Sequence, residues 1–283
     1  MITPRFAAVT LAFLSMLAST PAPATDVLPG PAASDGIWRP RPHMRWQLQY
    51  TETPIDLKVQ ADVYKIDLFD NNRTVVERLK KRGKNVVCYV NAGAWENWRP
   101  DARRFPQAAM GRDYEGWPGE RWLDIRRIDL LSPIMLARLD LCRTKGFHGV
   151  IFDNIDSYIQ KTGFPITREH QLQYVVWLAN AARERGLAVG INNNPEQAQE
   201  LLPYVDWAQA ESCFSQGWCE TLRPFVEAGK PVIVVEYIDD PRKVTSMCNE
   251  ASTLQFTLML KKRELSAFRQ DCNNVEGRPA RRL

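Results

Sequence analysis

Eight short apolar runs, alternating with helix-patterned segments, predict an α/β chain folded as a single (β/α)8 TIM-type barrel. Two further observations support that class. The length, 283 residues with 45% hydrophobic and 25% charged residues, suits one such barrel. Nearly every apolar run also ends in an acid or an amide, which would gather those side chains on one rim.

The eight strand candidates, in order, are "RWQLQY", "DVYKIDL", "NVVCYVNAG", "GVIFDNID", "LAVGINNN", "DWAQAES", "PVIVVEY" and "LQFTLML". Between them, "NRTVVERLKKRG" opens on an Asn suited to an N-cap and closes on Gly83. "TREHQLQYVVWLANAARERG" repeats the plan from Thr167 to Gly186, and "GWCETLRPFVEAGKP" ends in Gly229 and Pro231. Two connections are weak: the first crossover, "TETPIDLKVQ", is short, and the segment after the eighth strand is too polar for a firm final helix. A doubly wound open sheet is the alternative fold, although no G-x-G-x-x-G follows any strand.

Residues 1–24 read as a secretory signal, with Arg5 in the n-region, "AAVTLAFLSMLA" as the apolar stretch and Ala22-Pro23-Ala24 as the cleavage site. The chain is therefore expected to be exported, to the periplasm or outside the cell. The signal is shorter than a spanning helix, so no membrane anchor is expected. Residues 25–43, rich in Pro, Gly and Ala, read as a disordered leader, 44–275 as the barrel and 276–283 as a basic tail. Losing Arg5 lowers the formal charge from +4 to +3, too small an excess to indicate a nucleic-acid partner. An even set of six cysteines in an exported chain predicts pairing. Cys213 could staple to Cys219 and Cys248 to Cys272, whereas Cys88, inside an apolar strand, reads as a buried free thiol.

Reading each strand to its end gives Asp67 and Asp70 after the second, Asn91 and Glu96 after the third, and Asp153 and Asp156 after the fourth. Asn192, Asn193 and Asn194 follow the fifth, Glu211 the sixth, and Glu236 with Asp239 the seventh. Polar residues follow strands in any protein because loops do, and that reading suits Asp70, Asp239 and Asp240. It suits Asp153 and Glu211 less well, because "GVIF" and "WAQA" run into them without a turn signal. Two opposed carboxylates on a barrel rim can serve as nucleophile and acid/base in glycoside hydrolysis. The only histidines are His43, His148 and His170, and no H-E-x-x-H, G-x-S-x-G or phosphate-binding loop occurs, so neither metal nor cofactor is expected. His148, just before a strand, reads as structural. Trp95, Trp98, Trp117 and Trp122 crowd an insertion after the third strand, where they could wall the rim for sugar stacking or cover the core.

The blocks "WQLQY", "CYVNAGAWENWRPD", "LDIR", "GFHGVIFDNIDSY", "GINNNPEQ" and "WAQAESCFSQGWC", in that order at successive strand ends, resemble glycoside hydrolase family 114, the endo-α-1,4-polygalactosaminidases. The resemblance extends over about residues 44 to 275. It implies Asp153 as nucleophile and Glu211 as acid/base, with Asp67, Glu96, Asn154, Asp156 and Asn193 lining the subsites. Asn91, Trp95, Trp98 and Glu236 complete the expected substrate-binding set. The expected substrate is an exopolysaccharide of α-1,4-linked galactosamine or N-acetylgalactosamine, a cationic polymer of galactosaminogalactan type where the amines are free, and the expected enzyme is a monomer. Another α-galactoside or α-hexosaminide hydrolase, or a non-catalytic carbohydrate-binding barrel, are the alternatives. Because the fourth and sixth strands of such a barrel lie two places apart, a carboxylate pair of retaining spacing, about 5 to 5.5 Å, is expected.

Overall fold

The computed structural model describes residues 28–51, 54–237 and 241–272. The expected signal, the basic tail, Asp239 and Asp240 lie outside these residues. All eight expected runs form strands: β1 (Trp46–Gln49), β2 (Val63–Asp67), β3 (Asn85–Asn91), β4 (Gly149–Asp153), β5 (Ala188–Asn192), β6 (Trp207–Glu211), β7 (Val232–Tyr237) and β8 (Thr257–Lys261). They pair in chain order, each parallel to the next, so the sheet curls into a barrel wall.

Strand periodicity sorts the side chains into two cores. Trp46, Leu48, Val63, Val87, Ile151, Ala188, Trp207, Ile233, Val235 and Met259 form one cluster, inside the curl. Their strand neighbours, such as Tyr64, Cys88, Val150, Val189 and Val234, join the larger cluster that the helices cover. Trp207 fills the interior because glycines face it. A Cβ on Gly190 would come within 2.0 Å of the indole, and one on Gly149 within 3.2 Å.

Helices cover the wall unevenly: α1 (Arg73–Lys81), α2 (Ile128–Lys145) and α3 (Arg168–Arg183) are regular, and α4 (Val244–Leu254) precedes β8. Asn72 caps α1 by accepting the Val75 amide at 3.1 Å, and Thr167 caps α3 within a capping box. Among the described residues neither weak connection holds a helix. After β1 the chain turns without one, and after β8 it runs into a short antiparallel strand, β9 (Gln270–Asp271), paired to β8.

The expected barrel forms, but that ending leaves it short of full closure. Among the described residues no backbone ladder joins β8 to β1; the segment after β8 fills the seam. Gln47 donates to the Ala267 carbonyl, Arg269 to the Trp46 carbonyl, and the Tyr50 amide to Leu265. Lys261, wholly buried, donates to the carbonyls of Leu48, Ser266 and Phe268.

Residues 28–43, expected as a disordered leader, lie as a strap on the barrel. Asn180 exchanges hydrogen bonds with the Ala32 amide and the Gly30 carbonyl, Tyr204 donates to Pro29, and Trp38 packs 6.4 Å from Trp207. Composition suggested a linker, yet Trp38 supplies apolar area that a linker would not. Disulfides join Cys213 to Cys219 and Cys248 to Cys272, as expected. Cys88, against expectation, is bonded to Cys142 and ties β3 to α2. Its outward parity points it at the helix, a partner that strand composition does not reveal. Among the described residues no helix is long and apolar enough to cross a membrane.

Candidate active site

Asp153 is the last residue of β4 and Glu211 the last of β6, both inward by parity. The end of β5 stands between them and supplies Asn192. Its amide nitrogen Nδ2 donates to Asp153 Oδ1 at 2.8 Å and to Glu211 Oε1 at 3.1 Å. Each carboxylate has further donors. Asp153 accepts from the Tyr89 hydroxyl at 2.8 Å and from the Asn154 amide at 2.8 Å. Glu211 accepts from the Tyr237 hydroxyl at 2.7 Å and from Gln209 at 3.3 Å. Burial, then the charge of Asp153, pushes the Glu211 carboxyl above its ordinary range, against the pull of the Tyr237 bond and the Lys65 charge. Burial, then the charge of Asp153, pushes the Tyr50 and Tyr89 phenols well up, so both stay protonated.

Asparagines shape the loops around the pair. Asn154, Asn193 and Asn194 all adopt positive φ, which Asn tolerates better than most residues. Asn193 accepts the Glu211 amide through Oδ1, and Asn91 accepts from Asn154 and from the Ala94 amide. Gly93 is required where the third and fourth loops touch, since a Cβ there would fall 1.6 Å from the Asn154 carbonyl oxygen.

The remaining expected residues divide. Asp156 is near the pair: burial, then the Asp153 charge, raises its carboxyl, and Gln160 donates to it at 2.8 Å. Asp67 and Glu96 clamp a guanidinium, with Arg99 donating to both Asp67 oxygens at 2.9 and 2.7 Å and to Glu96 at 2.8 Å, all three buried. Their carboxylates thus anchor the tryptophan insertion to β2. Glu236 points outward from β7 and accepts the Phe214 and Ser215 amides, bracing the loop that follows Glu211.

The insertion is a three-stranded antiparallel sheet in which residues 120–123 lie between 94–96 and 110–113. Trp122 is buried, and Trp95 is half-buried with its indole N–H donating to the Ala102 carbonyl. Trp98 and Trp117 stand exposed at 53% and 56%. The same sheet holds Glu120, which accepts from Asn91 at 3.1 Å and is pushed up to about 7 by burial, then by the charge of Glu96. Tyr89, Gln209, Lys65 and Glu120 escape a reading of strand ends, and Tyr237, itself a strand end, escapes a reading confined to acids and amides. Counting back in twos from Asn91 and from Asp67 would have found Tyr89 and Lys65, since inward parity is their only signal. Among the described residues no cluster of three His, Cys, Asp or Glu could hold a metal ion. His148 accepts the Val86 amide and serves the fold.

The crystal structure of Aspergillus fumigatus Ega3 in complex with galactosamine matches with a TM-score of 0.81 and 32% identity, over 86% of this chain and 99% of that one. The glycoside hydrolase domain of PelA from Pseudomonas aeruginosa shares the fold at 16% identity and a TM-score of 0.67, covering 80% of this chain and 98% of that chain. An uncharacterised protein of Deinococcus radiodurans is 26% identical over 214 residues, 66% of this chain and 68% of that protein. The model of glycoside-hydrolase family GH114 matches residues 28–276. A parallel barrel wall, carboxylates at the ends of its fourth and sixth strands and these matches agree: the chain is a glycoside hydrolase and belongs to family GH114.

Proposed function

We propose that the enzyme is exported and cleaves α-1,4 linkages within a galactosamine-containing exopolysaccharide, retaining the anomeric configuration, with Asp153 as nucleophile and Glu211 as acid/base. The observation that carries the reading is the shared donor. Because one nitrogen of Asn192 bonds both carboxylates, their nearer oxygens lie within about 6 Å, close to the ~5 to 5.5 Å of a retaining pair and short of the ~6.5 to 9.5 Å that an inverting pair needs for water. Support for the sugar comes from the likeness to Ega3, whose structure holds galactosamine. Support for export comes from three disulfides, which persist in oxidising compartments, and from the signal-like pattern of residues 1–24.

In the first step Asp153, held by Tyr89, Asn192 and the Asn154 amide, attacks the anomeric carbon while Glu211 gives its proton to the departing oxygen. A β-linked glycosyl ester forms and the chain beyond the scissile bond leaves with a new hydroxyl. In the second step Glu211 takes a proton from water, which attacks the same carbon and releases Asp153, so two inversions give net retention. Exposed Trp98 and Trp117 offer faces on which neighbouring sugar rings stack. Following the first product by NMR tests the chemistry, with α configuration expected; a β product would remove Asp153 as nucleophile. Reducing ends released from defined polymers test the substrate, with polygalactosamine expected to be cut internally.

A further inference from the structure

Two lysines are buried inside the barrel, and they are bonded differently. Lys261 gives its ammonium to three carbonyls of the seam. Lys65, on β2 two residues before Asp67 and 1% exposed, has an Nζ with no hydrogen-bond partner among the described residues. It lies 5.8 Å from the centre of the Tyr50 ring, whose hydroxyl is likewise unbonded. Tyr50 packs 4.4 Å from Tyr89, and Tyr89 bonds Asp153. Burying an ammonium without a hydrogen bond is costly, so a sequence that needed only volume there would carry Met or Leu. The Tyr50 and Tyr89 rings lead from the Lys65 ammonium to Asp153, one of the carboxylate pair.

We propose that Lys65 is a positioning residue for hydrolysis: a buried charge, without a hydrogen bond of its own, that sets the acid strength of Glu211 from inside the barrel. The inference rests on the assignment of Glu211 as acid/base. Burial and the neighbouring anion Asp153 both make Glu211 hold its proton, and an acid that holds its proton too tightly donates slowly. The Lys65 charge opposes both. The effect is mutual. Burial pulls Lys65 down to about 7, while the Glu211 and Asp153 charges resist and Lys261 adds to the pull. Of the other groups near the pair, Tyr50 just after β1, Tyr89 on β3 and Tyr237 on β7 are pushed up and stay neutral. Lys65 and Glu211 therefore influence each other's protonation, and the alkaline limb of the rate profile reflects both.

The test is a carboxyl-carbon NMR titration of Glu211, assigned through Glu211→Gln, beside the pH profile of hydrolysis, in the parent, Lys65→Met and Lys65→Arg. Lys65→Met removes the charge at similar length; if it fails to fold, Lys65→Gln carries the same test. The Glu211 titration and the alkaline limb are both expected to rise by about one pH unit in Lys65→Met. In Lys65→Arg, which stays charged, neither rises. A Glu211 titration unmoved in Lys65→Met overturns the inference whatever the activity. A titration that moves while the alkaline limb stays overturns instead the assignment of Glu211 on which the inference rests.

Discussion

Asn192 is where the two carboxylates meet, because one amide nitrogen donates to both Asp153 and Glu211. Asp153→Asn keeps the shape but loses the attacking anion, so hydrolysis should fall at least about a thousandfold with the circular dichroism spectrum unchanged. Activity near the parent's in the folded variant would exclude the role. Glu120 carries a different expectation. Its carboxyl titrates near 7 in the folded chain and near 4.5 when unfolded, so the native state binds more protons between those values. Stability from this group is then complete below about pH 4.5 and is lost as pH rises towards 7. Glu120→Gln should raise the melting midpoint by a few degrees at pH 7.5 and leave it unchanged at pH 4; equal shifts at both would place the effect elsewhere. Asp153 and Glu211 were legible in the sequence because each ends an apolar run without a turn signal. Asp67 and Glu96 looked alike from strand ends, and only the fold brings Arg99 across to both.

The eight strands were legible as elements because each is a short apolar run bounded by polar residues. The sheet inside the tryptophan insertion was not: its strands are three or four residues long, and "MGRD" and "ERWL" carry too few alternations to betray pairing. Sequence also could not sort the tryptophans, since stacking faces and core fillers share composition. The fold sorts them. Trp98→Ala should weaken binding of long oligosaccharides by about 1 kcal/mol, seen by calorimetry, with the pH profile of hydrolysis unmoved. Trp95→Ala, which vacates packing and removes one of the two donors to the Ala102 carbonyl, should instead lower the melting midpoint. Were Trp98→Ala to bind like the parent, the exposed ring would have no part in the substrate path.

At the scale of the whole molecule the barrel was legible and its closure was not. Parallel order follows from alternating strands and helices, but a seam made by side chains leaves no periodic trace. Gln47, Lys261 and Arg269 appear in the sequence as ordinary polar residues, and the strap of residues 28–43 appears as a Pro-rich leader. Trp38 against Trp207 shows why the strap stays: it lays one more ring against the indole that fills the interior.

The seam has a consequence for how the wall opens. Between β4 and β5 a full run of backbone pairs must part together, whereas between β8 and β1 a few bonds, most of them from side chains, hold the edges. Local opening should therefore begin there. In deuterated buffer the amides of β1 and β9 should exchange sooner than those of β4 and β5, as mass spectrometry of peptic fragments would show. Equal protection around the ring would mean that the side-chain seam is as strong as a ladder. If the seam does open first, Tyr50, at the end of β1, borders the stretch of wall that solvent reaches earliest.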